Sequence, residues 1–342
     1  MKKILFVVSQ IGTGGAERVI STLASDFAEK GNDVTVITFR DTENAYPISS
    51  KVNMVRVTGN PLQRALAIRK YIQKHRIEVY VSFELNYGCL CAFGTGVRYI
   101  TSMRNDPKHD VVSTRERVFR FMNFLLADHI VFQTEEIMSF FPTSIRSHGS
   151  VIMNPLKEGL DEYHGVRRKE IVAVCRLEKQ KNIPMMIQAF QKVALRHPDF
   201  VLKLYGDGGL RSEMEQIVQA QGLKGRFLFA GFQSEIDKKI KDAYMYICTS
   251  DYEGLSNSLL EAMAIGLPCV TTDSGGGGAR AVIRDGVNGH LVPVGDADAM
   301  SSCMNRLIED QAYADELSLE ASKIRKVLSR EVICREWEKL FI

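Results

Sequence analysis

Residues 246 to 273 read YICTSDYEGLSNSLLEAMAIGLPCVTTD, and the reading of this stretch decides the fold. Tyr246 to Cys248 is a short apolar, strand-like run. The chain then turns through an acidic loop, Asp251 to Gly254, and enters a helical pattern that stops at Gly266 and Pro268. A second apolar strand, Cys269 to Thr271, follows at once. Strand, helix and strand in so few residues imply a parallel crossover.

The chemistry of the stretch lies at the helix entrance. Ser256 or Asn257 is placed as the N-cap, so the backbone N–H groups around Ser256, Asn257 and Ser258 offer an anion site at the mouth of a sheet. Glu253 and Glu261 flank that entrance, about 12 Å apart along the axis if both were helical. A carboxylate beside a phosphate repels it, so these two are expected to accept hydrogen bonds from neutral hydroxyls on either side. A sugar, a diphosphate and a ribose fit that order of groups. The macrodipole alone also favours Glu in the first turns of a helix, so the pair by itself does not decide.

Working outward, the rest of the chain repeats the alternation of strand and helix. In the first half Ile4 to Val8 is a continuous apolar run, as expected of a strand buried on both faces. A loop, GTGGAE, leads into a helical pattern carried by Val19, Ile20, Leu23, Ala24 and Phe27. Further strands are expected at Val34 to Phe39, Val52 to Val57, Ile77 to Phe83, Tyr99 to Ser102, Ile130 to Phe132 and Val151 to Met153. Helices are expected from Pro61 to His75 and from Arg115 to Ala127, the second amphipathic and rich in bulky side chains. Asn154 and Pro155 break the pattern and Lys157 to Arg168 is polar, which places the linker there. The second half runs from a strand at Ile171 to Val174 through the quoted unit, then a glycine run, Gly275 to Gly278, a helix near Ala279 to Ile283, and a mostly helical tail. Two doubly wound α/β domains in tandem are the economical architecture: residues 1–157, residues 158–328, and a C-terminal helix at 329–342 that packs back on the first.

Composition sets limits. The chain has 342 residues, 45% hydrophobic and 25% charged, enough for two domains of ordinary size. No stretch approaches the roughly 20 apolar residues that span a bilayer. MKKILFVVSQ is too short for a signal peptide and runs straight into the glycine loop, so it reads as a first strand. Seven scattered cysteines argue for reduced thiols, a cytoplasmic location and no structural zinc. A net charge of +3 is too weak for nucleic acid. The charge is uneven, however: Arg64, Arg69, Lys70, Lys74, His75 and Arg76 load one segment, and Arg98, Arg104, Lys108, Arg115, Arg117 and Arg120 another. Interleaved with apolar residues, both fit an anionic membrane surface, or the ordinary solvated faces of core helices.

Other motifs each carry two readings. Gly12, Gly14 and Gly15 resemble a dinucleotide turn, but the third glycine of that fingerprint falls on Glu17, which would crowd helix against strand. NAD is therefore not expected. A glycine-rich turn feeding a helix remains. Arg176 and Lys181 lie just past a strand, where two cations can neutralise a diphosphate or merely form a solvated basic turn. Tyr205 to Gly209 and Ala230 to Phe232 are strand exits that can admit a flat group or simply turn. The Asp-x-Asp at Asp296 and Asp298 opens a late helix and reads as capping rather than metal binding.

EGLSNSLLEAMAIGLPCV resembles the signature of the retaining glycosyltransferases of the family 4 type, in which a Glu, seven residues and a second Glu lie in the C-terminal half of a GT-B fold. Members typically carry Phe and Pro or Ser where this chain has Leu255 and Ser256. The resemblance implies two Rossmann-like domains facing a cleft, the first binding acceptor and the second a nucleotide sugar. It implies transfer of a hexose or N-acetylhexosamine, with retention and without metal or cofactor, from a nucleotide diphosphate sugar, expected to be a UDP-sugar. The acceptor would be a glycan or a polyprenyl-diphosphate-linked glycan at the inner face of the cell membrane, in surface polysaccharide synthesis.

On the same resemblance Glu253 contacts the donor sugar and Glu261 the ribose, with Leu255, Ser256 and Asn257 at the helix entrance. Arg176 and Lys181 clamp the diphosphate, which itself takes the acceptor proton. The loops holding Gly206 and Asp207, and Gly231 and Phe232, hold the nucleobase, while Gly14 and Gly15 border the diphosphate or the acceptor. Many members carry a His after the strand at Tyr99 to Ser102. Here Arg104 stands in that region, and His109 lies too far into the loop to take the role. The competing expectations are a nucleotide-sugar epimerase or hydrolase of the same fold, which would need a positioned acid and base, and a non-catalytic nucleotide-sugar-binding module.

Overall fold

A computed structural model describes residues 1–12, 14–40, 46–83, 87–110 and 113–342 of the chain. Thr13, inside the glycine-rich loop, lies outside the described residues. The chain forms two compact units, Met1–Pro155 with Ser329–Ile342, and Leu156–Leu328.

The first unit contains β1 (Lys3–Val7), α1 (Gly15–Glu29), β2 (Asp33–Thr38), β3 (Asn53–Arg56), α2 (Pro61–His75), β4 (Val79–Phe83), α3 (Gly88–Ala92) and β5 (Arg98–Met103). It continues with α4 (Thr114–Leu125), β6 (His129–Phe132), α5 (Glu135–Ser139), α6 (Thr143–Arg146) and β7 (Gly149–Val151). All its strands are parallel, in the order β3-β2-β1-β4-β5-β6-β7.

Covering both faces of such a sheet requires strands that are apolar throughout. Ile4 to Val7 are accordingly buried without a break. Alternate residues serve opposite faces: Leu5 and Val7 join the core made with Ala65 and Ile68 of α2 and Phe124 of α4, whereas Phe6 stacks on Phe27 of α1 at 6.4 Å. Helix α2 begins on a reciprocal cap, Asn60 accepting from Gln63 N while Gln63 accepts from Asn60 N, with Pro61 in the first turn.

The second unit holds β8 (Glu170–Val174), α7 (Ile183–Arg196), β9 (Val201–Tyr205), α8 (Arg211–Ala220), β10 (Phe227–Gly231), α9 (Ile236–Ile240) and β11 (Met245–Cys248). There follow α10 (Asn257–Ile265), β12 (Cys269–Thr272), β13 (His290–Val292), α11 (Ala297–Glu309), α12 (Gln311–Ser322) and α13 (Ile324–Val327). The sheet order is β10-β9-β8-β11-β12-β13. Every register pair within it is parallel. Helix α10 ends where its sequence says it should, at Gly266 with φ +83°, a left-handed cap that only glycine adopts without strain.

The last helix, α14 (Arg330–Glu338), belongs to the first unit. Ser329 caps it, Arg330 pairs with Glu29 at 2.8 Å, and Phe341 meets Phe27 edge-on at 4.9 Å. Trp337 is fully buried, its ring 5.7 Å from that of Phe83.

One sequence expectation is corrected. Ala279 to Ile283 is not a helix but a run of turns: Asn288 donates to Val282 O and accepts from Arg284 N, taking the backbone groups a second helical turn would need. In α4 the bulky residues do not fill the core. Its inward side is Arg120, Asn123 and Phe124, and Val118, Phe119, Phe121, Met122 and Leu125 are exposed.

Because Trp337 is the largest side chain sealed in the first unit, Trp337→Ala should cost about 3–5 kcal/mol. Hydrogen exchange at β1 and β4 after the substitution would report it. Unchanged protection there would show that α14 adds nothing to this core.

Candidate functional site

In both units the strand order reverses next to the first strand: between β1 and β4 in one sheet, between β8 and β11 in the other. Loops leaving the carboxyl ends of two such strands diverge and leave a crevice, where ligands of open α/β sheets collect. In the second unit the two loops are 175–182 and 249–256, and they carry Arg176, Lys181, Glu253, Leu255 and Ser256.

These loops are tied together at short range. Thr249 donates to Lys181 O at 2.8 Å, Gln180 to Tyr252 O at 2.8 Å, and Asn182 Nδ2 to Asp251 Oδ1 at 2.7 Å. Asn182 also caps α7 from a left-handed conformation, φ 44°, accepting from Met185 N. At the centre Lys181 Nζ bonds both carboxylate oxygens of Glu253 at 2.7 Å, and Ser250 Oγ adds a bond of 2.8 Å to Glu253 Oε2. Lys181 is only 8% exposed. Burial opposes its charge, but the Glu253 carboxylate more than offsets this and holds the ammonium above its ordinary value.

Helix α10 enters the same crevice. Ser256 is the N-cap residue in extended conformation, but its hydroxyl makes no capping bond and instead meets Ser258 Oγ at 3.0 Å. Ser258 donates to Val174 O at the end of β8 and pairs with Tyr246 OH at 2.9 Å. The first turn of α10 is thereby pinned beside the loop that carries Arg176. Burial pushes the Tyr246 phenol and the Cys175 and Cys248 thiols up, so all three stay neutral beside the ion pair. Glu261 lies in the second turn of α10, 4% exposed, and Leu255 is buried just before the helix.

Glycines let backbone close over this region. A Cβ on Gly278 would lie 1.8 Å from Gly254 O, so the glycine run packs directly against the Glu253 loop, and Glu253 N donates to Gly275 O at 2.8 Å. Gly206, at φ +129°, would put a Cβ 1.9 Å from Cys175 O, and its N–H donates to Gly231 O. The loops of Gly206 and Asp207 and of Gly231 and Phe232 therefore sit side by side, against residues 175–177. Arg176 itself reaches outward, paired with Glu178 at 2.9 Å and 69% exposed at its side chain. Asp296 caps α11, and Asp298 pairs with Lys192. Among the described residues no cluster of His, Cys, Asp or Glu could hold a metal.

In the first unit the glycine loop occupies the switch point after β1. Gly14 is the N-cap of α1, Gly15 its first residue, and the Glu17 carboxylate accepts from Gly12 N and Gly14 N at 2.8 Å each. Glu17 does not crowd helix against strand. It folds back and supplies the negative charge that the helix start favours. Arg104, at the end of β5, lies over the Phe83 ring at 4.3 Å and the Trp337 ring at 5.7 Å, and donates to Asn154 Oδ1 at 2.6 Å. Gln133 donates to the same oxygen at 2.9 Å. His109 does not reach this cluster: its Nδ1 meets the buried Asp106 carboxylate at 2.8 Å.

Tyr246, Asn182, Gln133 and Trp337 were not singled out as site residues in the sequence, Ser258 was noted only for its backbone N–H, and Asn154 only as a break in the pattern. Strand order brings Tyr246, Asn182, Gln133 and Asn154 into place, and α14 carries in Trp337 from the far end of the chain.

Two doubly wound parallel units with these loops define the GT-B architecture of glycosyltransferases. Residues 162–324, within the second unit, match the family described as glycosyl transferases group 1. An exopolysaccharide phosphotransferase of Streptomyces coelicolor is 30% identical over 218 residues, 63% of this chain, and the chain spans 23% of that relative's length. A Campylobacter jejuni alpha-1,4-N-acetyl-D-galactosaminyltransferase, named for a diphospho-undecaprenol-linked GalNAc acceptor, is 23% identical over 99% of this chain and 98% of its own. Anabaena HepE, solved in complex with UDP-glucose, superposes with a TM-score of 0.87 at 20% identity, covering 99% of both chains.

Breaking the Lys181–Glu253 pair from one side leaves a poorly solvated charge. Lys181→Met should cost about 3 kcal/mol, and adding Glu253→Gln should restore part of it. Denaturant unfolding of the two single variants and the double variant would measure this, and strict additivity would mean the pair is not coupled. A lysine held above its ordinary value contributes fully below the free-lysine pKa of about 10.4 and loses that contribution only as pH rises through its folded value. The coupling should therefore be flat from about pH 6 to pH 9.

Proposed function

We propose that the chain transfers a hexose or N-acetylhexosamine, with retention at the anomeric carbon, from a UDP-sugar to a glycan or polyprenyl-diphosphate-linked acceptor in surface polysaccharide or glycoconjugate synthesis. The observation that carries this reading is the second-unit crevice, where a helix N-terminus, a part-buried Lys181–Glu253 pair and Arg176 lie at the ends of β8 and β11. The full-length similarity to a transferase named for a lipid-linked acceptor, and the fold shared with a UDP-glucose complex, support it.

In this reading the first unit takes the acceptor and the second the nucleotide sugar. The diphosphate lies at the N–H groups of Ser256 and Asn257, with Arg176 released from Glu178 to meet it. Lys181 faces the diphosphate on one side and fixes Glu253 on the other. Glu253, held in place by Lys181, accepts from sugar hydroxyls, and Glu261 accepts from the ribose. The loops of Gly206 and Asp207 and of Gly231 and Phe232 flank the base. Gly14, Gly15 and Arg104 belong to the first unit's share, with the Arg104 guanidinium packed beside the Phe83 and Trp337 rings and bonded to Asn154.

The bond from the anomeric carbon to the β-phosphate oxygen breaks as the acceptor oxygen bonds to the same face, and the acceptor proton passes to the departing diphosphate. Side-chain cations offset that charge, so no metal is required.

Thermal shift or saturation-transfer NMR against UDP-, GDP- and ADP-sugars in EDTA tests the donor site. UDP-sugars should bind, and Glu261→Ala should weaken them about tenfold or more, the scale of a lost charge-assisted hydrogen bond. A folded protein that binds none of them would overturn the assignment. Mass spectrometry of a diphospho-polyprenol-linked glycan incubated with the bound donor then reads transfer, and an EDTA-sensitive rate would refute metal independence.

A further inference from the structure

Helix α4 is built the wrong way round for a helix facing water. Its sheet side carries Arg120, Asn123 and Phe124, with Arg120 held on Asp110 and Pro107 O and Asn123 accepting from Cys89 N and Tyr99 OH. Its opposite side is Val118, Met122 and Leu125, which are 58%, 43% and 42% exposed. Phe121 borders that stripe on one side, Phe119 and Leu126 on the other, all at least 40% exposed. A surface helix normally shows polar residues there.

The stripe continues onto its neighbours. Helices α2, α3 and α4 cover the same sheet face, and Arg69 of α2 donates to Phe93 O just past α3. Phe93 is 70% exposed, and Leu62 and Leu66 of α2 are 66% and 51% exposed.

Charge identifies what covers this layer. Residues 61–76 contain Arg64, Arg69, Lys70, Lys74 and Arg76 and no Asp or Glu. On α4 the exposed Arg115 and Arg117 face a single acid, Glu116, and Arg115 lies 5.6 Å from the Phe119 ring centre. An apolar centre with a basic rim complements an anionic lipid surface, whereas a second copy would set one basic rim against another.

We propose that the α2–α3–α4 layer of the first unit docks on an anionic bilayer. Helix α4 lies in the interface, its Val118, Met122 and Leu125 reaching the acyl boundary, and Arg115 and Arg117 stand among the headgroups. The layer spans no bilayer: no helix among the described residues is long and apolar enough to cross one. Docking at this face would bring the first unit to lipid-linked acceptors, but its test needs no catalysis and is independent of the reaction proposed above.

The test is cosedimentation of the purified full chain with vesicles of phosphatidylglycerol and phosphatidylethanolamine in equal parts, and with vesicles of phosphatidylcholine alone. Binding should be confined to the anionic vesicles and weaken with salt. Val118→Asp with Met122→Asp should lower partitioning at least about tenfold. Arg115→Gln with Arg117→Gln should do the same, since each basic residue near the surface is worth roughly fivefold. All four side chains face solvent, so the variants should melt with wild type. As a check independent of those variants, the indole fluorescence introduced by Phe121→Trp should be quenched by brominated phosphatidylglycerol. Equal binding to both vesicle types, undiminished binding by the Asp variant, or unquenched fluorescence from the Phe121→Trp variant would overturn the proposal. So would a dimer in light scattering that Met122→Asp dissolves.

Discussion

The site depends on one constraint: in a doubly wound parallel sheet, two adjacent strands must send their loops in opposite directions. In the second unit those strands are β8 and β11, whose register pairs Met245 with Ile171 and Tyr246 with Val172. From that pairing it follows that a segment near residue 180 meets one near residue 252, although about 70 residues separate them in the chain. Lys181 and Glu253 are brought within hydrogen-bond reach by strand order, and the pair then holds the loops that carry it. Neither charge is well solvated, so each needs the other.

The same economy governs α10. A helix start has backbone donors to spare, and most helices satisfy some of them with the N-cap side chain. Ser256 does not do so here; its hydroxyl turns to Ser258, which bonds the end of β8. The first turn is fastened from below rather than capped by the Ser256 side chain. At the first unit's switch point the opposite holds, because Glu17 already sits on the N–H groups of Gly12 and Gly14. Equivalent places in two similar sheets thus present different electrostatics.

Much of this was legible beforehand. Gly266 and Pro268 marked the end of α10, apolar runs marked buried strands, and the spacing of Glu253 and Glu261 marked the helix entrance, because these are local consequences of backbone geometry. The reading failed where non-local contacts decide. A glycine run followed by Ala279 to Ile283 looked helical until Asn288 folded back onto it. Nor did the amphipathic pattern of α4 say which side meets the sheet: that side went to Arg120, Asn123 and Phe124, the two polar residues held by Asp110, Cys89 and Tyr99.

By itself the sequence determined the α/β class, the two-sheet organisation, the limits of α10 and the residue types at its mouth, since periodicity, caps and glycine positions act within a few residues. Tertiary structure alone decided that Lys181 closes on Glu253, that Arg104 packs against both Phe83 and Trp337, the latter from the far end of the chain, and that α4 turns its apolar stripe to the outside. Each of those outcomes depends on which distant strand or helix lies alongside, and no local propensity encodes that.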